Sequence, residues 1–267
     1  MSYRATLDLP VATARTVSRW IAAHRRRHDV RPWQRAATSW TQTIMLLRRL
    51  IQAPGVAGIA RDAGVSPATA YRYLHEALNV VSGKAPELPD VLRGLKDKGV
   101  PFVCLDGTLV RTDRVAERDH DTGYHLWYSG KHEAPHAATS KWRPTTPATR
   151  CGASPVEPGS THDIEAARAH VLPALYPAAA DRMPTLADNG YVGAGIGVKT
   201  PIKGTKPDTG ARSYNQVQAS LRAPAERANA LLKGFKALKR VTLNPPTITN
   251  ITTTAPVILN LNNNLPR

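Results

Sequence analysis

Val100-Pro101-Phe102-Val103-Cys104-Leu105-Asp106-Gly107-Thr108 is an apolar run of strand length that stops at a carboxylate and a glycine. Later in the chain Met183-Pro184-Thr185-Leu186-Ala187-Asp188-Asn189-Gly190-Tyr191 repeats the arrangement: a short buried strand, an aspartate, then a glycine turn. Asp-Gly and Asp-Asn-Gly are common turn sequences, so either aspartate alone reads as turn chemistry. As a pair they put two carboxylates at strand ends, on a rigid scaffold where a hard divalent cation can be shared. A third carboxylate, Glu226, lies on the amphipathic segment Ala225 to Leu238; beside Arg227 its plain reading is a solvated ion pair.

Around these strands the texture is mixed. Second and third strands are predicted over Leu109–Thr112 and Tyr124–Tyr128, a helix over Asp163–Ala180, and another over Ala225–Leu238. Strands first, then helices alternating with single strands, predict an α/β or α+β domain. Upstream the chain is helical. Apolar residues recur at helical spacing from Val11 to Ala23 and from Trp40 to Ile51, and Pro54-Gly55 breaks the pattern.

Val56 to Asp62 then makes a short helix, Ala63-Gly64-Val65 a tight turn, and Ser66-Pro67 the start of a helix running to about Leu78. Ser66 can cap exposed N–H groups, and Pro67 suits the first turn, where its missing donor costs nothing. This is a helix-turn-helix pattern, also met in plain helical hairpins. Its DNA-facing residues are expected to be Ala68, Thr69 and Arg72 towards bases and Arg61 towards the backbone. Ser82-Gly83-Lys84-Ala85-Pro86 punctuates the chain, and a short helix follows over Leu88–Lys98.

The chain has 267 residues, 36 Lys and Arg against 20 Asp and Glu, and a net charge of +16. Such a surplus points to a polyanionic partner, although an arginine-rich soluble enzyme shows it too. Residues 1–90 hold 13 basic and 6 acidic side chains, so the excess is not confined to one end. Two cysteines, Cys104 and Cys151, exclude a disulfide framework and a Cys-type zinc site. No apolar run is long enough to span a membrane, and no signal-like segment follows Met1. The expectation is a soluble, cytoplasmic, nucleoid-associated protein with no membrane partner.

The ordered set of motifs resembles insertion-sequence transposases of the DDE superfamily, in particular an actinobacterial group with an N-terminal helix-turn-helix. It comprises Met1 to Leu7, Ser66 to Leu74, Leu105-Asp106-Gly107-Thr108-Leu109, Pro158-Gly159-Ser160-Thr161-His162-Asp163, Leu186 to Tyr191 and Glu226-Arg227-Ala228-Asn229. The resemblance implies an α+β chain, with an all-α helix-turn-helix domain over residues 1–85, a linker over 86–100 and a ribonuclease H-like α/β catalytic domain over 101–267. It implies Asp106, Asp188 and Glu226 as the acids, holding two Mg²⁺ or Mn²⁺ ions for phosphodiester hydrolysis and strand transfer. It also implies double-stranded DNA as partner (terminal inverted repeats and target) and a homo-oligomer on that DNA. Asp163 is read as structural support at a helix start. Lys131 or His132 could touch phosphate, against a plain reading as solvated surface.

Some of the sequence departs from that group. Asn189 stands where relatives carry Lys. Residues 134–153 contain no Val, Ile, Leu or Phe and hold Pro135, Pro144 and Pro147, so no hydrophobic sheet edge is expected there. With GC-rich codons, another reading frame of Ala137 to Trp142 gives strand-like sequence, as two compensating frameshifts would leave. Pro245-Pro246 and Pro256 fall where relatives finish with an apolar helix, and Pro256 would cost such a helix about 3 kcal/mol. The rival readings are a catalytically decayed DNA-binding protein and a stand-alone transcription regulator.

Overall fold

The computed structural model describes residues 7–112, 117–118, 120–121, 123–129, 134–144, 152–204, 208–232, 234–241 and 243–264. Lys131, His132 and most of the Met1–Leu7 motif lie outside them.

Helix α1 (Val11–Arg27) buries Val17 and Ile21 and ends in a basic turn, which suits the negative end of the helix dipole. Helix α2 (Ser39–Gln52) starts where the Thr38 side chain accepts from Thr41 N and stops at Ala53 in the left-handed conformation. Helix α3 (Val56–Ala63) ends at Gly64, whose φ of 67° a residue without Cβ adopts without strain. Helix α4 (Pro67–Ser82) opens with Ser66 Oγ accepting from Thr69 N at 3.1 Å, the expected cap. Met45, Ile59, Ala60, Ala70, Tyr73 and Leu74 from α2, α3 and α4 close a small core under the helix-turn-helix. Helix α5 (Leu88–Asp97) follows one short turn after α4.

The basic run Arg25-Arg26-Arg27 is split in role. Arg25 is buried, donating to Ala37 O at 3.0 Å and to Gln42 Oε1 at 2.6 Å, while Gln42 donates onward to Tyr73 O. Burial, then the neighbouring Arg35, lowers the Arg25 pKa from its ordinary value. It is an internal strut, and Arg26 and Arg27 are the exposed members.

Strand β1 (Val103–Arg111) is one continuous strand, so the separate strand expected over Leu109–Thr112 is part of it. Strands β2 (Tyr128–Ser129), β3 (Ala134–Pro144), β4 (Gly152–Ala153) and β5 (Glu157–Pro158) follow, and then β6 (Thr185–Leu186) and β7 (Val198–Lys199). Among the described residues the sheet order is β2-β3-β1-β6-β7, with β4 and β5 also paired to β3. The segment expected to fail as a sheet edge forms β3, antiparallel to β1 from Val103↔Pro144 to Arg111↔His136. Ladder hydrogen bonds need no apolar side chains; small Ala137 and Ala138 are buried, and Thr139 Oγ1 donates to Ser154 O at 2.9 Å. Of the strand expected over Tyr124–Tyr128, only Tyr128 is in β2.

The helix expected over Asp163–Ala180 is two, α6 (Asp163–His170) and α7 (Leu172–Ala180). Pro173 has no N–H to return to Ala169, and Val171 breaks the helical path with φ −125°. Helix α8 (Thr209–Leu232) begins well before the expected Ala225 and stops before Gly234. Helix α9 (Pro245–Asn264) contains Pro256, against expectation. Its proline cost of about 3 kcal/mol is offset by burial of Ile248, Ile251 and Ile258, each gaining about 1.5–3 kcal/mol.

Two main cores result. One packs α5, α6 and α7 under β1 through Leu92, Leu95, Val103, Leu105, Leu172 and Leu175. The other joins the helical region to the chain's end, with Val17, Ile21, Leu46 and Leu47 against Ile248, Ile251 and Ile258. Thr13 Oγ1 to Asn262 Oδ1 at 2.6 Å and Asn250 Nδ2 to Asn79 Oδ1 at 2.7 Å bind α9 to α1 and α4.

Candidate functional site

The site is set by register. Strands β1 and β6 are parallel, with Val103 opposite Thr185 and Cys104 opposite Leu186. Continuing that register puts Asp106 level with Asp188, just past the end of β6. Side chains alternate along a strand, so Asp106, inside β1, follows the face of Cys104, and Gly107 takes the opposite face. Cys104 and Leu186 pack with Ala225 of α8, on the face opposite the Val103 and Leu105 core.

Asp188 is half-buried and starts a 3-10 turn, Asn189–Tyr191. Its Oδ1 accepts from Gly190 N at 2.9 Å, which fixes the carboxylate over the turn. A cavity of about 570 Å³ opens beside it, lined by Gly107, Thr108, His136, His162, Asp163 and Asp188 among others. Asp106 immediately precedes that wall. Gly159 lets the wall close: a Cβ there would meet His136 O at 2.4 Å and Trp127 O at 2.9 Å.

Asp163 is the residue the sequence placed least well. Read as a helix-start support, it is indeed the first residue of α6, but its carboxylate also enters the site. Gly107, inside β1, and Gly190, in the turn after β6, flank it. The signal available in the sequence was only that a glycine follows each aspartate.

Glu226 follows Ala225 on α8 and is exposed. Its side chain is 59% exposed, with the Arg222 guanidinium at 3.8 Å. Helix α8 itself is anchored over the strand ends by Gln218, whose Nε2 donates to Lys199 O at 2.6 Å and Ala187 O at 3.3 Å. Among the described residues no three His, Cys, Asp or Glu side chains gather closely enough to hold a metal ion. The structure therefore levels Asp106 with Asp188, adds Asp163 to the cavity wall beside Asp188, and leaves Glu226 outside any such group.

In the helical region Arg61, Ala68 and Arg72 are exposed and Thr69 is half-buried. Arg72 Nη2 donates to Thr69 Oγ1 at 3.3 Å, and Arg61 lies 3.9 Å from Asp62. Exposed Tyr71, stacked on His75 with ring centroids 4.3 Å apart, stands next to Arg72 and was not singled out from the sequence.

The family model for DDE superfamily endonucleases matches residues 105–260, from the strand of Asp106 to the last turns of α9. The chain belongs to the DDE superfamily endonucleases. No curated protein and no solved structure matched it. In this endonuclease the helical region precedes a mixed α/β sheet domain consistent with a ribonuclease H-like fold, as expected. No helix among the described residues is long and apolar enough to cross a membrane.

The family generally uses divalent metals. The donor set suits a hard ion: Mg²⁺ keeps several waters and takes only one or two carboxylates plus substrate phosphate. Asp163 and Asp188 supply carboxylates at the cavity wall, and Asp106 lies one residue before it.

Proposed function

We infer that this endonuclease is a DNA transposase that cuts and joins DNA at the ends of an insertion element. The observation that carries the reading is the β1–β6 register, which levels Asp106 with Asp188 inside a DDE endonuclease domain. Asp106 and Asp188 are the residues that hold the divalent ions, with Glu226 as the third acid if α8 turns it inward on DNA. When bound, such ions activate a water, stabilise charge on the phosphate and assist the leaving oxygen. The chain's own residues do the rest. Gly190 N–H holds the Asp188 carboxylate in place, and the basic helical region attracts the phosphate backbone. The α3–α4 helix-turn-helix offers Ala68, Thr69 and Arg72 to base edges and Arg61 to a phosphate. Two copies on paired element ends follow from the two cuts such a reaction needs.

The exposed placement of Glu226 favours one second reading, a DNA-binding protein whose catalytic domain has decayed. The two separate in one assay: Mg²⁺-dependent nicking of supercoiled DNA carrying the gene's own flanking sequence. The transposase nicks it and Asp106→Asn does not; a decayed copy binds that DNA without nicking it. Equal nicking by both proteins would falsify the assignment of Asp106. In gel-shift titrations Arg72→Ala should weaken binding to this DNA by about 10- to 100-fold, the 1–3 kcal/mol of one base contact.

A further inference from the structure

We propose that Asp163 is a positioning residue that packs the stretch of β1 carrying Asp106 against the turn carrying Asp188. The inference rests on the nuclease reading above. A Cβ built on Gly107 would lie 2.5 Å from Asp163 Oδ1 and 2.7 Å from its Cγ, so the carboxylate fills the space that only a glycine leaves. A Cβ built on Gly190 would lie 3.5 Å from Asp163 Oδ2 and 3.1 Å from Asp188 Oδ1. One carboxylate therefore packs on the glycine after Asp106 and lies beside the turn that holds Asp188. Helix α6 delivers it rigidly, since Asp163 is its first residue and Ala166 and Ala167 are buried behind it.

This contact is a spacer between the two acids. The sheet alone does not set their separation, because β6 is two residues long and Asp188 lies beyond its last pair. With Asp163 seated as a wedge between Gly107 of β1 and the Asp188 turn, the backbones that carry Asp106 and Asp188 are held at a fixed spacing before DNA arrives. Gly107 is the complement of that wedge.

The test uses the full chain and reads Mn²⁺ binding by electron paramagnetic resonance, alongside nicking kinetics. Asp163→Ala should raise the Mn²⁺ concentration for half-saturation, and lower kcat, by about 10- to 100-fold, the usual effect of losing a supporting partner. KM for DNA should stay unchanged, because no DNA contact is removed. Asp163→Asn keeps the shape and should restore most of both. Gly107→Ala attacks the wedge from β1 and should give the Asp163→Ala signature in a chain that melts near the wild-type temperature. The double variant should be no worse than the poorer single, since both remove one contact. Wild-type binding and kinetics in Asp163→Ala would overturn the proposal. So would an Asp163→Asn chain as impaired as Asp163→Ala, which would assign the effect to charge. A wild-type chain that never nicks sinks the nuclease reading instead, while the Mn²⁺ titrations still decide whether Asp163 spaces the acids.

Discussion

Ile258→Ala is expected to unsettle the helix-turn-helix region although it lies in the last helix. Ile258 is fully buried in the core that α9 shares with Val17, Ile21, Leu46 and Leu47 of α1 and α2. Truncating a fully buried isoleucine removes its transfer energy and leaves a cavity, together about 2–5 kcal/mol. A fall of about 2–4 °C per kcal/mol for a chain this large makes the expected loss about 10 °C in Tm. The assay is thermal unfolding followed by far-ultraviolet circular dichroism, with tryptic cleavage after Arg48 and Arg49 of α2 as a local probe. One transition should move as a whole, and α2 should become protease-sensitive at the lowered temperature. Two transitions, with only the later one shifted and α2 still protected, would refute the shared core. The same core bears on the stand-alone regulator reading. Residues 1–90 alone lack the α9 side of it, along with the Asn262 and Asn250 hydrogen bonds, so that fragment should not fold stably.

Two further outcomes follow from buried polar groups. Arg25→Ala leaves Gln42 Oε1 and Ala37 O without their donor and should cost about 3 kcal/mol in chemical denaturation, whereas exposed Arg26→Ala should cost under about 0.5 kcal/mol. Burial lowers the pKa of His24 and His75 from 6.5, and His28 adds to the effect at His24. The unfolded chain then binds protons first as pH falls through 6.5, so stability is full above that value and declines below it. A His24→Gln, His75→Gln chain should show a flatter stability profile between pH 7 and pH 5.

What the sequence made legible was local. Gly64, Ser66 and Pro67 end one helix and start the next by rules that act within a few residues, and the structure keeps every one of them. The two apolar runs leading into Asp106 and Asp188 were equally plain, but β1 does not stop at Asp106: no turn forms there and the strand runs on through Gly107 to Arg111. Residues 134–144 were not legible as a strand. Their pairing with β1 is long-range and depends on backbone hydrogen bonds that Ala, Thr and Pro sequence does not advertise. Pro256 misled for a related reason: its helix is stabilised by Ile248 and Ile258 buried against segments from the other end of the chain. Arg25 was not legible as internal, because its partners, Ala37 and Gln42, reach it only after α1 and α2 fold together. Asp163 was visible as a helix start, but its meeting with Gly107 and Gly190 required the sheet to be closed first.

Shared cation capture by Asp106 and Asp188 is best tested by counting Mn²⁺ ions bound to the wild-type chain, to Asp106→Asn, to Asp188→Asn and to the double variant. Each single change should abolish most of the tight binding, and the double should lose no more than either single. Tight binding that survives both changes, or that falls by independent halves, would mean that these two carboxylates do not serve one metal centre.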